Sequence, residues 1–239
     1  MQKNQSHLNI KGMDLKELRL FVESLGVKSF RGDQVYSWIY KNMSTDLNDM
    51  SNIPNVLKEQ ISQMGDLMTL KLFKKNISKK DKTIKYLFKT HDNHFIEAVS
   101  IFDKKRHTVC LSSQVGCSIG CTFCATAKMG LLRNLKSGEI IDQFISIYKY
   151  SKITITNIVF MGMGEPFLNY EAVIKASNIL HDTKGFGIAS NKITISTSGI
   201  LPKIKKYIED RVKFNLAISI NASNNKSRSS IMPINKKWN

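Results

Sequence analysis

The chain has 239 residues, 42% hydrophobic and 23% charged, with 36 Lys and Arg against 19 Asp and Glu for a formal net charge of +17. At about 150 residues per domain this fits one large or two small globular domains. No stretch reaches the roughly 18 apolar residues that span a bilayer, and MQKNQSHLNIKG lacks the apolar centre of a secretory signal. The reading is therefore a cytoplasmic chain with reduced thiols and no membrane contact. The charge points to a polyanion such as nucleic acid. Codon bias is an alternative source of it, because the chain is crowded with Lys, Asn and Ile while Arg occurs at only six positions.

Helices come first. Asp14 and Glu17 form a capping-box pattern ahead of LKELRLFVESLG, whose Leu15, Leu18, Phe21, Val22 and Leu25 share one helical face. RGDQVYSWIYKN repeats the pattern with Val35, Trp38 and Ile39, and NVLKEQISQM follows Pro54 as a third helix. Residues 67–115 then change period. LKLFKKNIS, TIKYLFKT, HFIEAVSIF and HTVCLSS alternate or run apolar in short bursts, with SKKDK and THDN as turns. From residue 116 helices and strands alternate: GEIIDQFISIYKY, NIVFMGMG, YEAVIKASNILHD, NKITISTSG, LPKIKKYIED and FNLAISIN. Such alternation predicts an α/β fold with a parallel sheet covered by helices and a site at the strands' C-terminal ends.

Chemistry concentrates in VGCSIGCTFCATAKMG, where Cys117, Cys121 and Cys124 stand as Cys-x3-Cys-x2-Cys between glycines. Three thiolates from one loop can hold three irons of a [4Fe–4S] cube and leave the fourth open to a non-protein ligand. S-adenosylmethionine (SAM) is such a ligand, chelating through its amino and carboxylate groups. Two alternatives stay open: a zinc site completed by His107, although structural zinc sites usually pair two distant dyads, and a disulfide staple. About 40 residues on, Gly162, Gly164, Glu165 and Pro166 end a strand as GMGEP. There the glycines let backbone approach a ligand, and Glu165 can accept hydrogen bonds from an ammonium group.

Together SSQVGCSIGCTFCATAKMGLLRNLKSGEI, ITNIVFMGMGEPFLN, KITISTSG, LAISINA and IMPINKKWN resemble the radical-SAM superfamily, and closely the RlmN-type adenine C2-methyltransferases. FRGDQVYSWIYK is similar to that family's helical accessory domain. The resemblance implies a helical, RNA-binding accessory domain over 1–65, a β-hairpin connector over 66–105 and a partial (βα) radical-SAM barrel over 106–239. About four of the family's six βα units are visible.

It also implies methylation of C2 of an adenine in large-subunit (23S) rRNA and of an adenine beside the tRNA anticodon. One SAM methylates a cysteine, and a second, cleaved at the cluster, starts radical transfer of that carbon to the ring. An electron donor such as a flavodoxin-type reductant is implied as partner. By the same pattern Cys117, Cys121 and Cys124 ligate the cluster, while Gly164, Glu165, Ser196, Ser219, Ile220 and Asn221 line SAM. Glu97 matches the family's proton acceptor, and Cys110 a cysteine that resolves the protein–RNA adduct. Taken alone, Cys110 reads as a buried strand thiol and Glu97 as a solvent-facing strand residue.

Two departures stand out. Asn221 occupies a position that is usually His, and no cysteine follows Cys124 to act as the family's methyl carrier. The expectation is a chain truncated at its C-terminus, with FNLAISI as an unpaired edge: a degraded gene, a split gene with a complementing C-terminal fragment, or an incomplete sequence whose full-length form turns over. A non-catalytic RNA-binding remnant, or a related enzyme acting at another ring carbon, is the alternative.

Overall fold

A computed structural model describes residues 10–65, 67 and 69–239. The first nine residues of the expected helical domain, and Asp66 at the start of the expected connector, lie outside them. Helix α1 (Leu15–Ser24) begins on the full capping box: Asp14 Oδ1 accepts from the Glu17 amide at 2.9 Å and Glu17 Oε2 from the Asp14 amide at 2.8 Å. It buries Leu18, Phe21 and Val22 and stops before Gly26, whose φ of +79° lies where glycine is favoured.

Helix α2 (Phe30–Tyr36) widens into a π-turn over Ser37–Lys41. The extra residue per turn rotates the buried stripe, so Tyr36, Ile39 and Tyr40 go inside. Trp38, expected with the core residues, is only half-buried and donates from Nε1 to Asn52 Oδ1 at 2.6 Å. Helix α3 (Asn55–Met64) buries Leu57 and Ile61.

One seven-stranded sheet follows, in the order β1-β2-β3-β4-β7-β8-β9. Strands β1 (Leu70–Ile77), β2 (Ile84–Thr90), β3 (Phe95–Asp103) and β4 (Arg106–Cys110) form an antiparallel meander. A small side sheet pairs β5 (Gln114–Gly116) with β6 (Leu131–Asn134), and helix α4 (Ser137–Ser151) follows. Then come β7 (Asn157–Phe160), α5 (Tyr170–His181), β8 (Ile193–Thr197), α6 (Leu201–Glu209), β9 (Asn215–Ile218) and α7 (Asn225–Ile231). Strands β4, β7, β8 and β9 run parallel. The hairpins at 70–110 join the strands that follow them. Val99 pairs with Cys110 and Cys110 with Val159, so meander and parallel strands are one surface.

Alternation gives that surface two unlike faces. Phe88, Ile96, Val109, Ile158, Phe160, Ile193 and Ile195 are fully buried on the helix-covered side. Their alternates Leu87, Glu97, Val99, Val159 and Ser196 are half-buried on the other side, the open face. Strand β9 is the last in the sheet order, and Ile218 and Ile220 beside it are exposed. The helical module docks through a buried ion pair between Lys11 and Asp142 of α4, and through Tyr36, which donates to Asp182 Oδ2 at 2.7 Å. No helix among the described residues is long and apolar enough to cross a membrane.

Candidate active site

The cysteine loop hangs between β5 and β6 just past the C-terminal end of β4. The Cys117 amide donates to Gly130 O at 2.9 Å, and a Cβ on Gly116 (φ +78°) would fall 1.8 Å from that same oxygen, so only glycine fits there. The Cys124 amide closes a turn onto Cys121 O at 3.1 Å, and the Thr122 amide reaches Ile231 O at 2.9 Å. All three thiols are free, Cys117 buried and the other two half-buried.

Burial raises the Cys117 thiol, with Glu165 and Cys124 adding to the effect, and raises Cys121 in the same way with Cys117 and Cys124 adding. The loop thus gathers three sulfur donors in one place, Cys117 and Cys121 in surroundings that disfavour the anionic form without a cation beside it, which suits a [4Fe–4S] cluster. Among the described residues no three His, Cys, Asp or Glu side chains could together hold one metal ion. A cube asks for something else, one thiolate on each of three irons. His107 cannot complete a zinc site: it is buried at the start of β4, hydrogen-bonded to Ser100 Oγ at 3.0 Å and stacked on Phe102.

The GMGEP segment crosses the same strand ends. Strand β7 stops at Phe160 instead of running to Gly164. The glycines also let the segment pack closely on its neighbours: a Cβ on Gly162 would meet Ser112 Oγ at 2.7 Å, and one on Gly164 (φ +98°) would meet Gln114 Cβ at 2.5 Å. Glu165 is buried with both oxygens engaged, Oε1 accepting from the Phe167 amide at 3.0 Å and Oε2 from the Ser198 amide at 2.7 Å. A carboxylate has about four lone-pair sites, so it can still accept from an ammonium group. Next to it Ser198 is buried, 8% exposed, and its hydroxyl has no hydrogen-bond partner among the described residues. An orphaned hydroxyl beside a carboxylate suits a polar ligand such as SAM.

The remaining residues expected around SAM sit on neighbouring strand ends. Ser196, on the open face of β8, donates to Phe160 O at 2.8 Å. The Ser219 amide donates to Thr197 O at 2.9 Å, and Asn221 has a φ of +60°, a left-handed conformation that Asn tolerates well. Ile220 is exposed and lines a cleft of about 470 Å³ together with Gly199, Ile218, Arg228 and Trp238. Sequence reasoning missed Arg228. Its guanidinium donates to Ser198 O at 2.6 Å, Ser219 O at 3.3 Å and Ile220 O at 3.0 Å, fastening the loops after β8 and β9 together. The available signal was the scarcity of Arg, the residue with a rigid multi-donor fork.

Glu97 and Cys110 share the open face in adjacent rows by register: Glu97 lies opposite Leu87, and Val99 opposite Cys110. Glu97 is half-exposed and paired with Lys85 at 2.9 Å. Cys110 is buried, and burial pushes its thiol up to about 11. Ser112, another residue sequence reasoning passed over, ties this face to GMGEP: its hydroxyl donates to Glu97 O and accepts from the Met163 amide at 2.8 Å. Gln143 of α4 clamps the Ser112 backbone from below, accepting from its amide at 2.8 Å and donating to its carbonyl at 3.0 Å.

A three-cysteine loop at the C-terminal ends of parallel strands, facing a buried Glu on the next strand end, defines the radical SAM class. The Radical SAM superfamily matches residues 111–238, and the ribosomal RNA large subunit methyltransferase N-terminal domain matches residues 8–66. A radical SAM methyltransferase from Sphaerobacter thermophilus superposes with a TM-score of 0.91 at 38% identity, covering 97% of this chain and 69% of that one. Probable dual-specificity RNA methyltransferases RlmN from Geobacillus kaustophilus and Thermoanaerobacter sp. are 43% and 41% identical over 96% of this chain. The chain belongs to the RlmN family of radical SAM methyltransferases. It spans 64% of the length of the Geobacillus relative and 67% of the Thermoanaerobacter one.

Proposed function

We propose that these residues form the cluster- and SAM-binding part of an RNA methyltransferase that methylates C2 of adenine in 23S rRNA and in tRNA beside the anticodon. The observation that carries this reading is the cysteine loop joined to the Glu165 strand end, the Glu165 amide donating to Oε1 of Gln114, three residues before Cys117, at 2.8 Å, in a chain of the RlmN family. Cys117, Cys121 and Cys124 hold the [4Fe–4S] cluster. Glu165, helped by Gly164, Ser196, Ser219, Ile220 and Asn221, receives SAM. When bound, cluster and SAM supply the reductive chemistry, fed by a flavodoxin-type donor in the cytoplasm, and the protein orients it.

The chain's own residues do the rest. The open face takes the target adenine, which has to leave its stack to be reached. There Glu97 takes a proton from the ring. Cys110, held protonated by burial, attacks an adduct only once its proton is removed. No cysteine follows Cys124, so the methyl-carrying thiol has to come from a segment outside these residues, joined to the chain or complementing it. The same observation supports a second reading, RNA binding without methyl transfer.

The test is anaerobic reconstitution with iron and sulfide, then two readouts. One is reductive cleavage of SAM to 5′-deoxyadenosine against a C117A/C121A/C124A control. The other is mass spectrometry of rRNA and tRNA nucleosides with and without the complementing segment. Cleavage together with 2-methyladenosine supports the reading. Cleavage no greater than in the control sinks it. Cysteine-independent RNA binding without product favours the second reading, and a methyl group at another ring carbon, seen by fragmentation, would move the chain to a related enzyme.

A further inference from the structure

Beyond Glu97, the open face of the meander is built unlike an ordinary solvated sheet surface. By register three successive rows lie on it: Asn76, Lys85 and Val99 beside Cys110; then Lys74, Leu87 and Glu97; then Lys71, Lys89 and Phe95. Rows on one face are about 7 Å apart, so Phe95 stands two rows from Cys110. A bulge in β1 between Leu72 and Lys74 adds Phe73 to this surface. The Phe73 ring packs edge-on against Phe95 with centroids 5.0 Å apart, and both are exposed, at 63% and 37%.

An exposed aromatic pair is costly to leave in water, and four lysines in three rows repel one another. A partner that is both anionic and flat-ringed answers both features. Glu97 is the only carboxylate in these rows, and it is already paired with Lys85.

We infer that this face, Phe73 and Phe95 ringed by Lys71, Lys74 and Lys89, is a platform for single-stranded RNA. One base stacks on the phenylalanines while neighbouring phosphates lie along the lysines. Stacking of bases on aromatic side chains beside a basic track is the general way proteins hold unpaired strands. The platform leads along one sheet face to Glu97 and Cys110. The inference rests on the proposed RNA substrate, and it assigns the base next to the target to Phe73 and Phe95.

The experiment uses the full chain without cluster, so it does not depend on the radical chemistry. A short single-stranded RNA carrying 2-aminopurine is titrated at several salt concentrations. F73A/F95A is expected to weaken binding about fivefold or more, with the salt slope kept and the fluorescence change of stacking lost; F73W restores the stacking signal to the single F73A variant. K71Q/K74Q is expected to lower the magnitude of the salt slope by about 1.4, or 0.7 for each phosphate contact. Both pairs are exposed, and unchanged circular dichroism shows that the variants fold. Affinity and slope equal to the parent in both double variants overturn the platform, even if the reconstituted enzyme cleaves SAM. Binding to phosphatidylserine vesicles that depends on Phe73 and Phe95, with RNA binding indifferent to them, overturns it in favour of a membrane surface. Failure of SAM cleavage with RNA binding as expected counts against the proposed enzyme and leaves the platform standing.

Discussion

The Glu97 amide donates to the sulfur of Met163 at 3.2 Å, although Met163 lies 66 positions away in the loop that follows β7. Strand β4 ends at Cys110, so past Val99 the β3 backbone loses its ladder partner. Met163 Sδ and Ser112 Oγ take over at Glu97, one on its N–H and the other on its carbonyl. Since Met163 lies inside GMGEP, the loop proposed to hold SAM is tied directly to the strand carrying Glu97.

Ser112→Ala breaks that tie. It leaves the part-buried Glu97 carbonyl and the buried Met163 amide without the shared hydroxyl, at a cost of about 1–3 kcal/mol. The expected outcome is a drop of that size in urea-unfolding stability together with weaker SAM binding by calorimetry. Parent stability in the variant would mean that the hydroxyl is dispensable.

Ser198 predicts the opposite pattern. Its hydroxyl is buried without a partner among the described residues, so removing it relieves a desolvation cost in the ligand-free chain. Ser198→Ala is expected to be as stable as the parent or slightly more so, while SAM affinity of the reconstituted protein falls about fivefold or more. Unchanged SAM affinity would remove Ser198 from the site.

Cys110 carries a pH dependence with a definite sign. Burial raises its thiol from the ordinary 9.0 to about 11. Between those values the folded chain holds a proton that the unfolded chain has released, so stability is fully present below about pH 9 and falls as pH rises towards 11. Cys110→Ala is expected to flatten that part of the curve in pH-dependent thermal melts. Alkylation at pH 8 should be slower at Cys110 than at Cys124, as peptide mass mapping would read.

Much of this was legible in the sequence because period and punctuation survive folding. The Asp14–Glu17 box starts α1 as its pattern implies, and the Val- and Ile-rich bursts are the parallel strands. What could not be read were facts set by distant neighbours. The π-turn at Ser37–Lys41 turns Trp38 outward to reach Asn52. That Gly162 and Gly164 also pack closely against Ser112 and Gln114 is invisible in the motif alone. Arg228 and Ser112 carry no motif signal, since one works through carbonyls of loops it does not belong to and the other through a strand 15 residues away.

The helical module's hold on the sheet makes the last prediction. Lys11 and Asp142 are both fully buried, and Asp142 Oδ2 also accepts from the Thr69 amide and hydroxyl and from the Leu70 amide at 3.0 Å. Desolvation pulls the Lys11 ammonium below its ordinary pKa, and the facing carboxylate opposes that pull. Removing one member of such a pair leaves a buried charge and costs about 3–5 kcal/mol. Lys11→Met is therefore expected to loosen the module, with a lower melting temperature and earlier proteolysis between α3 and β1. K11M/D142N should recover part of the loss, because Asn keeps an acceptor for the Thr69 and Leu70 amides without the stranded charge. A double variant no more stable than Lys11→Met would show that the charge on Asp142 is not what the lysine neutralises.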